Sequence, residues 1–144
     1  MKETLDSNFA FQNANPKIVV KGAGEMATGI AHRLYMANFK NILMTEIGQP
    51  LTVRRTVAFS ESVYTGSSRV EDVTALLVKD SGDISDVWRK HCIAVIVDPK
   101  WDVVKEMKPD IVVDAIMAKR NIGTKKDEAP VSYTHLKLPT IYPV

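Results

Sequence analysis

The chain has 144 residues, of which 45% are hydrophobic and 25% charged, with a formal net charge of +2. That length suits about one domain, and the usage is globular. It excludes a case for nucleic acid or an anionic membrane built on charge, a membrane-spanning helix, and, with Cys92 the single cysteine, a disulfide framework or an all-cysteine metal site.

The polar start, MKETLDSNFAFQNANP, lacks the basic-then-apolar pattern of a signal peptide. Residues 1–16 are expected to form a flexible extension, and the chain reads as cytoplasmic. After Pro16, KIVVK (17–21) is a first strand. A helix follows from near Glu25 to near Asn38, with Met26, Ile30, Leu34 and Phe39 as its inward stripe. NILMTE (41–46) is a second strand. Pro50 sets a boundary, and 52–64 reads as helical, with Val53, Val57 and Val63 inward. RVEDVTALLVKD (69–80) is one strand or a hairpin turning at Glu71-Asp72. Asp83 is the expected cap of a helix to about Lys90 that buries Ile84, Val87 and Trp88. IAVIVD (93–98) is a buried strand, and Pro99 opens a short helix over 100–107 carrying Trp101, Val104 and Met107. IVVDAI (111–116) is the last clear strand.

Strands written as unbroken apolar runs and alternating with helices indicate an α/β, Rossmann-like domain over 17–131. Its sheet is expected to be mainly parallel, with helices on both faces. The first strand should be central, with the second on one side and the later ones on the other. VSYTHLKLPTIYPV (131–144) has no place in that pattern. It closely resembles the translated read-through of a transposase sequencing adapter, VSYTHLTLPT, with Lys137 in place of a threonine. Residues 132–144 are therefore read as a non-native tail, and the fold as truncated at its C-terminus.

The strongest chemical signal is Gly22-Ala23-Gly24-Glu25-Met26-Ala27-Thr28-Gly29, lying between a strand and a helix. Gly22, Gly24 and Ala27 fit G-x-G-x-x-G/A, in which the glycines allow a tight turn and close approach of a phosphate. The helix N-terminus adds unpaired N–H groups and partial positive charge. Glu46 ends the second strand 22 residues after Gly24, near the spacing of a ribose-binding carboxylate. Gly22, Ala23, Gly24, Thr28, Gly29 and Glu46 are thus candidate ligand contacts. The plainer alternative is a small-residue turn needed only for packing. Glu25 would repel a pyrophosphate unless it points away. Arg54 and Arg55 are candidates to neutralise an anion, and adjacent residues of one helix cannot both face the site.

Asp98 and Asp114 stand at or near strand ends, where open α/β sheets place ligands. Asp98 reads equally well as a helix cap, whereas Asp114 interrupts an apolar strand and needs partners if buried. Lys119 and Arg120 are the basic residues nearest Asp114 in sequence. His32 reads as a surface or packing residue and Cys92 as a core thiol. No catalytic set and no metal cluster stands out.

The segments KIVVKGAGEMATGIAHRLYMANF, ILMTEIGQPLTVRRTVAFSESVY, VIVDP and PDIVVDAIMAKRNIGT, with Ala129-Pro130, resemble the YqeB-type proteins of the selenium-dependent molybdenum hydroxylase system. The resemblance covers nearly all of 17–131. It implies a bacterial or archaeal accessory protein that helps mature hydroxylases such as purine or xanthine dehydrogenases. Its partners would be the hydroxylase or its maturation machinery, and a small phosphate-bearing ligand, a nucleotide or a molybdopterin-type cofactor. It also implies members of roughly twice this length, continuing after Ala129-Pro130 into another strand and a second glycine-rich segment. Asp72 departs from the glycine expected in its turn. Two other readings stay open: an NAD(P)-dependent oxidoreductase fragment, and a non-enzymatic adaptor that docks the hydroxylase.

Overall fold

A computed structural model describes residues 15–50, 52 and 54–116, together with the backbone of 131–134. The remaining residues, including Lys119, Arg120 and most of the two terminal segments, lie outside the described part.

Strand β1, Ile18–Lys21, is buried at all four positions, as a strand covered on both faces must be. The glycine turn leads into helix α1, Glu25–Met36, which returns the chain to strand β2, Ile42–Glu46. The hairpin alternative is the observed one: β3, Ser67–Val70, turns at Glu71 and pairs antiparallel with β4, Val73–Val78. Glu71 takes a left-handed φ of 54° there. Helix α3 (Ile84–Arg89) leads to β5 (Ile93–Val97), and α4 (Asp102–Met107) leads to β6 (Ile111–Asp114). The backbone of Val131–Thr134 adds a parallel edge strand, β7, beside β6.

The sheet order is β3-β4-β5-β2-β1-β6-β7, and every pair except β3–β4 is parallel. This is an α/β, Rossmann-like arrangement. The first strand is near the centre, as expected. The expected placing of all later strands on one side needs correction, because β4 and β5 extend the sheet beyond β2. The chain then crosses back past β2 and β1 to lay down β6. The reversal falls between β1 and β6, the switch point at which open sheets of this kind form a crevice.

Two apolar clusters cover the two faces. One joins Val20, Met44 and Val95 to Ala27, Ala31 and Tyr35 of α1 and to Phe59. The other joins Val19, Leu43 and Ile96 to Ile84 and Val87 of α3 and to Trp101 and Val104. Helix α1 is turned from the expected stripe. Its fully covered positions are Ala27, Thr28, Ala31 and Tyr35, while Met26 is 41% exposed and Ile30 and Leu34 pack at the margin. Small residues bring the helix close to the sheet, so the size pattern and not the hydropathy pattern sets its face.

Residues 54–64 do not form one helix; Val53 lies outside the described residues, and Val57 is 40% exposed rather than inward. The segment forms 3-10 turns at Arg55–Val57 and Phe59–Glu61, then the single helical turn α2 (Ser62–Thr65). Ala58 between them is extended and buried, which breaks the run. Asp83 makes no cap bond; Asp80 instead accepts from the Gly82 amide at 2.9 Å, one turn earlier.

Candidate functional site

The turn after β1 needs its glycines for two different reasons. Gly22 has φ +103°, and a β-carbon there would stand 3.3 Å from the Ala115 carbonyl oxygen. The end of β6 runs that close because the Ala115 amide donates to the Lys21 carbonyl at 3.0 Å. Gly22 is therefore required by the fold. Gly24 is extended, and a β-carbon there would meet only the Thr52 hydroxyl, at 3.9 Å. Nothing within the described protein requires a glycine at 24. Gly22→Ala is expected to cost about 1–3 kcal/mol of stability for the sparsely populated backbone, whereas Gly24→Ala is expected to unfold at the wild-type urea midpoint.

A cavity of about 1060 Å³ opens over this turn, lined in part by Gly22, Gly24, Glu46, Thr52, Ala115 and Ile116. It lies at the switch point, and the uncovered flank of α1, including Gly29, forms one wall. No side chain caps the helix N-terminus that faces it.

Glu46 is held rigidly in this wall. One carboxylate oxygen accepts from the Ala23 amide and the other from the Ile47 amide, each at 2.9 Å. The Ala23 amide is thus turned to Glu46 rather than offered to a ligand. Each carboxylate oxygen keeps acceptor capacity for a further donor.

Thr28 is placed elsewhere than the sequence reading suggests. It is 2% exposed, and its hydroxyl donates to the Ala23 carbonyl at 3.2 Å while accepting from the Phe59 amide at 2.9 Å. The Ser60 amide also donates to the Ala23 carbonyl, at 2.8 Å. The turn at Phe59–Glu61 is therefore a buttress beneath the glycine turn.

The two arginines diverge. Arg54 clamps Glu25, with its guanidinium nitrogens 2.7 and 2.9 Å from one carboxylate oxygen. That guanidinium holds the Glu25 carboxyl below the usual carboxylate range. Arg55 turns away to Glu61 at 2.7 Å and lies over the Tyr64 ring, 4.4 Å from its centroid. The Glu61 carboxylate raises the Arg55 pKa.

Neither Asp98 nor Asp114 is among the described lining residues. Asp98 caps α4, accepting from the Asp102 and Val103 amides, each at 2.9 Å. Asp114 is fully buried and accepts from the Ile116 amide at 3.1 Å. Its cross-strand neighbour is Lys21, also fully buried, with its ammonium 3.8 Å from the Trp101 ring centroid. Sequence reasoning missed Lys21; its position directly before Gly22, at the end of a central strand, was the available signal. Thr45 completes this row on β2, and its hydroxyl has no hydrogen-bond partner among the described residues. His32 lines the cavity 3.9 Å from the Glu71 carboxylate, and Cys92 is part-buried. Among the described residues no group of side chains could hold a metal ion, and no helix is long and apolar enough to cross a membrane.

No family model and no solved structure matches the chain. It is 45% identical over 115 residues to "Uncharacterized protein YqeB" of Escherichia coli (strain K12), covering 80% of this chain and 21% of that protein. The chain spans about a fifth of the curated relative, so that relative is considerably longer than the twofold length expected from the resemblance. Over four-fifths of its length this chain is a YqeB-type sequence.

Proposed function

We propose that this chain binds a phosphate-bearing ligand, a nucleotide or a molybdopterin-type cofactor, at the Gly22–Gly24 turn. In this reading the whole protein serves as an accessory factor in the maturation of selenium-dependent molybdenum hydroxylases, with the hydroxylase or its maturation machinery as partner. The observation that carries the binding step is Gly24. No contact within the described protein calls for a glycine there, and the space it leaves belongs to the cavity at the helix N-terminus. A β-carbon in that space would stand where an anion must approach the backbone. The hydroxylase assignment rests on the sequence resemblance, and its relative in E. coli carries no stated activity.

The test is calorimetric titration of ADP and inorganic pyrophosphate into the full chain and its Gly24→Val variant. We expect binding in the wild type, at least a tenfold loss in the variant, and the same urea midpoint for both. Unchanged affinity in a folded Gly24→Val protein would remove the site from the glycine turn. For the cellular role, the same substitution in the complete protein is expected to leave hydroxylase polypeptide at normal abundance but inactive. Full hydroxylase activity would separate the ligand site from maturation.

A further inference from the structure

We infer that residues 1–14 of this chain dock along the flank of α1 that carries Met26, Ile30 and Leu34. Phe9 and Phe11 are the apolar anchors, and the acids Glu3 and Asp6 pair with Arg33. The docking surface is independent of the ligand reading above.

Helix α1 has two apolar faces. Its small residues Ala27 and Ala31 take the sheet. Met26, Ile30 and Leu34, four residues apart, share a second face. Thr28 accepts from the Phe59 amide and His32 lies 3.9 Å from Glu71, so their side of the helix looks toward β3 and β4. The second face lies on the other side, toward β6, and lines the cavity together with Ala115 and Ile116. Among the described residues no element covers it. Met26 is exposed, and Ile30 and Leu34 are only partly buried. A continuous apolar face left open in this way marks an interaction surface.

Two observations select residues 1–14 as its cover. The first is where that segment joins the fold. The Asn15 carbonyl accepts from the Asn41 side-chain amide at 3.1 Å, at the end of the sheet where α1 finishes and β2 begins. From Leu34 to Met26 the helix rises about 12 Å. Phe11 and Phe9 precede Asn15 by four and six residues, a reach of about 13 and 20 Å in extended chain. They can therefore lie along the open face. A connection from β6 to β7 competes poorly for it. That step crosses the sheet in the direction opposite to β1–α1–β2, and the right-handed rule gives it the opposite face.

The second observation is charge. Arg33 is exposed on the same cavity wall, and its guanidinium meets no carboxylate among the described residues. Glu3 and Asp6 supply two carboxylates against the single basic side chain of the segment, Lys2.

The experiment places a nitroxide on Ala10→Cys in the full chain carrying Cys92→Ser, and compares methyl signals with the label oxidised and reduced. The signals of Met26, Ile30 and Leu34 are expected to be at least halved, and those of Ile84 and Ile96, on the other face of the sheet, to be unchanged. Adding Phe9→Asp and Phe11→Asp should restore full intensity. Arg33→Glu should weaken the effect, and Glu3→Arg with Asp6→Arg should recover it in the Arg33→Glu background. Undiminished signals at Met26, Ile30 and Leu34 would overturn the inference, as would attenuation that survives the loss of both phenylalanines or is indifferent to Arg33→Glu. Attenuation seen only on mixing spin-labelled with isotope-labelled chains would also overturn it, assigning the face to a second copy.

Discussion

Replacing Asp114 by Ala is expected to lower the unfolding free energy by about 3–5 kcal/mol, measured by urea denaturation. Asp114 and Lys21 are cross-strand neighbours on β6 and β1, and both are fully buried. Removing the carboxylate takes away the acidic cross-strand neighbour of an ammonium group that lies in the interior of the sheet, over the Trp101 ring. A buried charge deprived of its counter-charge is among the most costly single changes a core can suffer. Against a typical total stability of about 5–15 kcal/mol, this one substitution would bring the chain close to its unfolding threshold. The double variant Lys21→Met/Asp114→Leu is expected to recover most of the loss, because a well-packed apolar pair often equals a buried ionic one. Additive losses in the double variant would show that the two side chains do not act together. These residues immediately precede Gly22 and Ala115, the two backbone segments that meet at the switch point. The buried polar row thus lies directly before the two backbone segments that line the candidate site.

Lys21 also shows where the sequence stopped being informative. In KIVVK it resembles one of two solvated ends of a short strand, and hydropathy separates it in no way from Lys17. Only the sheet order, with β2 on one side and β6 on the other, makes position 21 interior. The β1–turn–α1–β2 unit was legible because its signals are local: an apolar run, a glycine pattern, a helical stretch and a second apolar run. The elements β5 and β6 were legible for the same reason. Strand order was not, since pairing of β5 with β2 depends on contacts between residues some fifty positions apart, such as Leu43 with Ala94. The face of α1 was misjudged because Met26 is more hydrophobic than Ala27, yet only a small side chain allows the helix its close approach. Among the candidate residues, Gly22, Gly24, Gly29 and Glu46 are brought to one cavity. Thr28, Arg55 and Asp98 instead spend their polar groups on neighbouring elements. Residue type alone does not distinguish a hydroxyl that meets a ligand from one that fastens a loop.

Phe59→Ala is expected to cost about 3–5 kcal/mol, the usual price of truncating a buried aromatic side chain and leaving a cavity. Phe59 is fully buried in the cluster beneath α1, although it sits in a 3-10 turn within an otherwise irregular stretch. Its backbone matters as much as its ring. The Phe59 amide donates to the Thr28 hydroxyl, and the next amide, Ser60, donates to the Ala23 carbonyl. The buried ring therefore anchors the segment whose backbone holds the glycine turn in place. Losing the ring should loosen that hold before the sheet itself unfolds, because β1, β2 and β6 pair independently of it. Two measurements separate these effects. Urea denaturation reports the global loss, and native-state hydrogen exchange at Ala23 and Gly24 reports local opening. Faster exchange at those two amides than the global destabilisation accounts for is the expected result. Exchange that rises only in step with global unfolding would show that the glycine turn keeps its shape without the buttress, and that Phe59 serves the core alone.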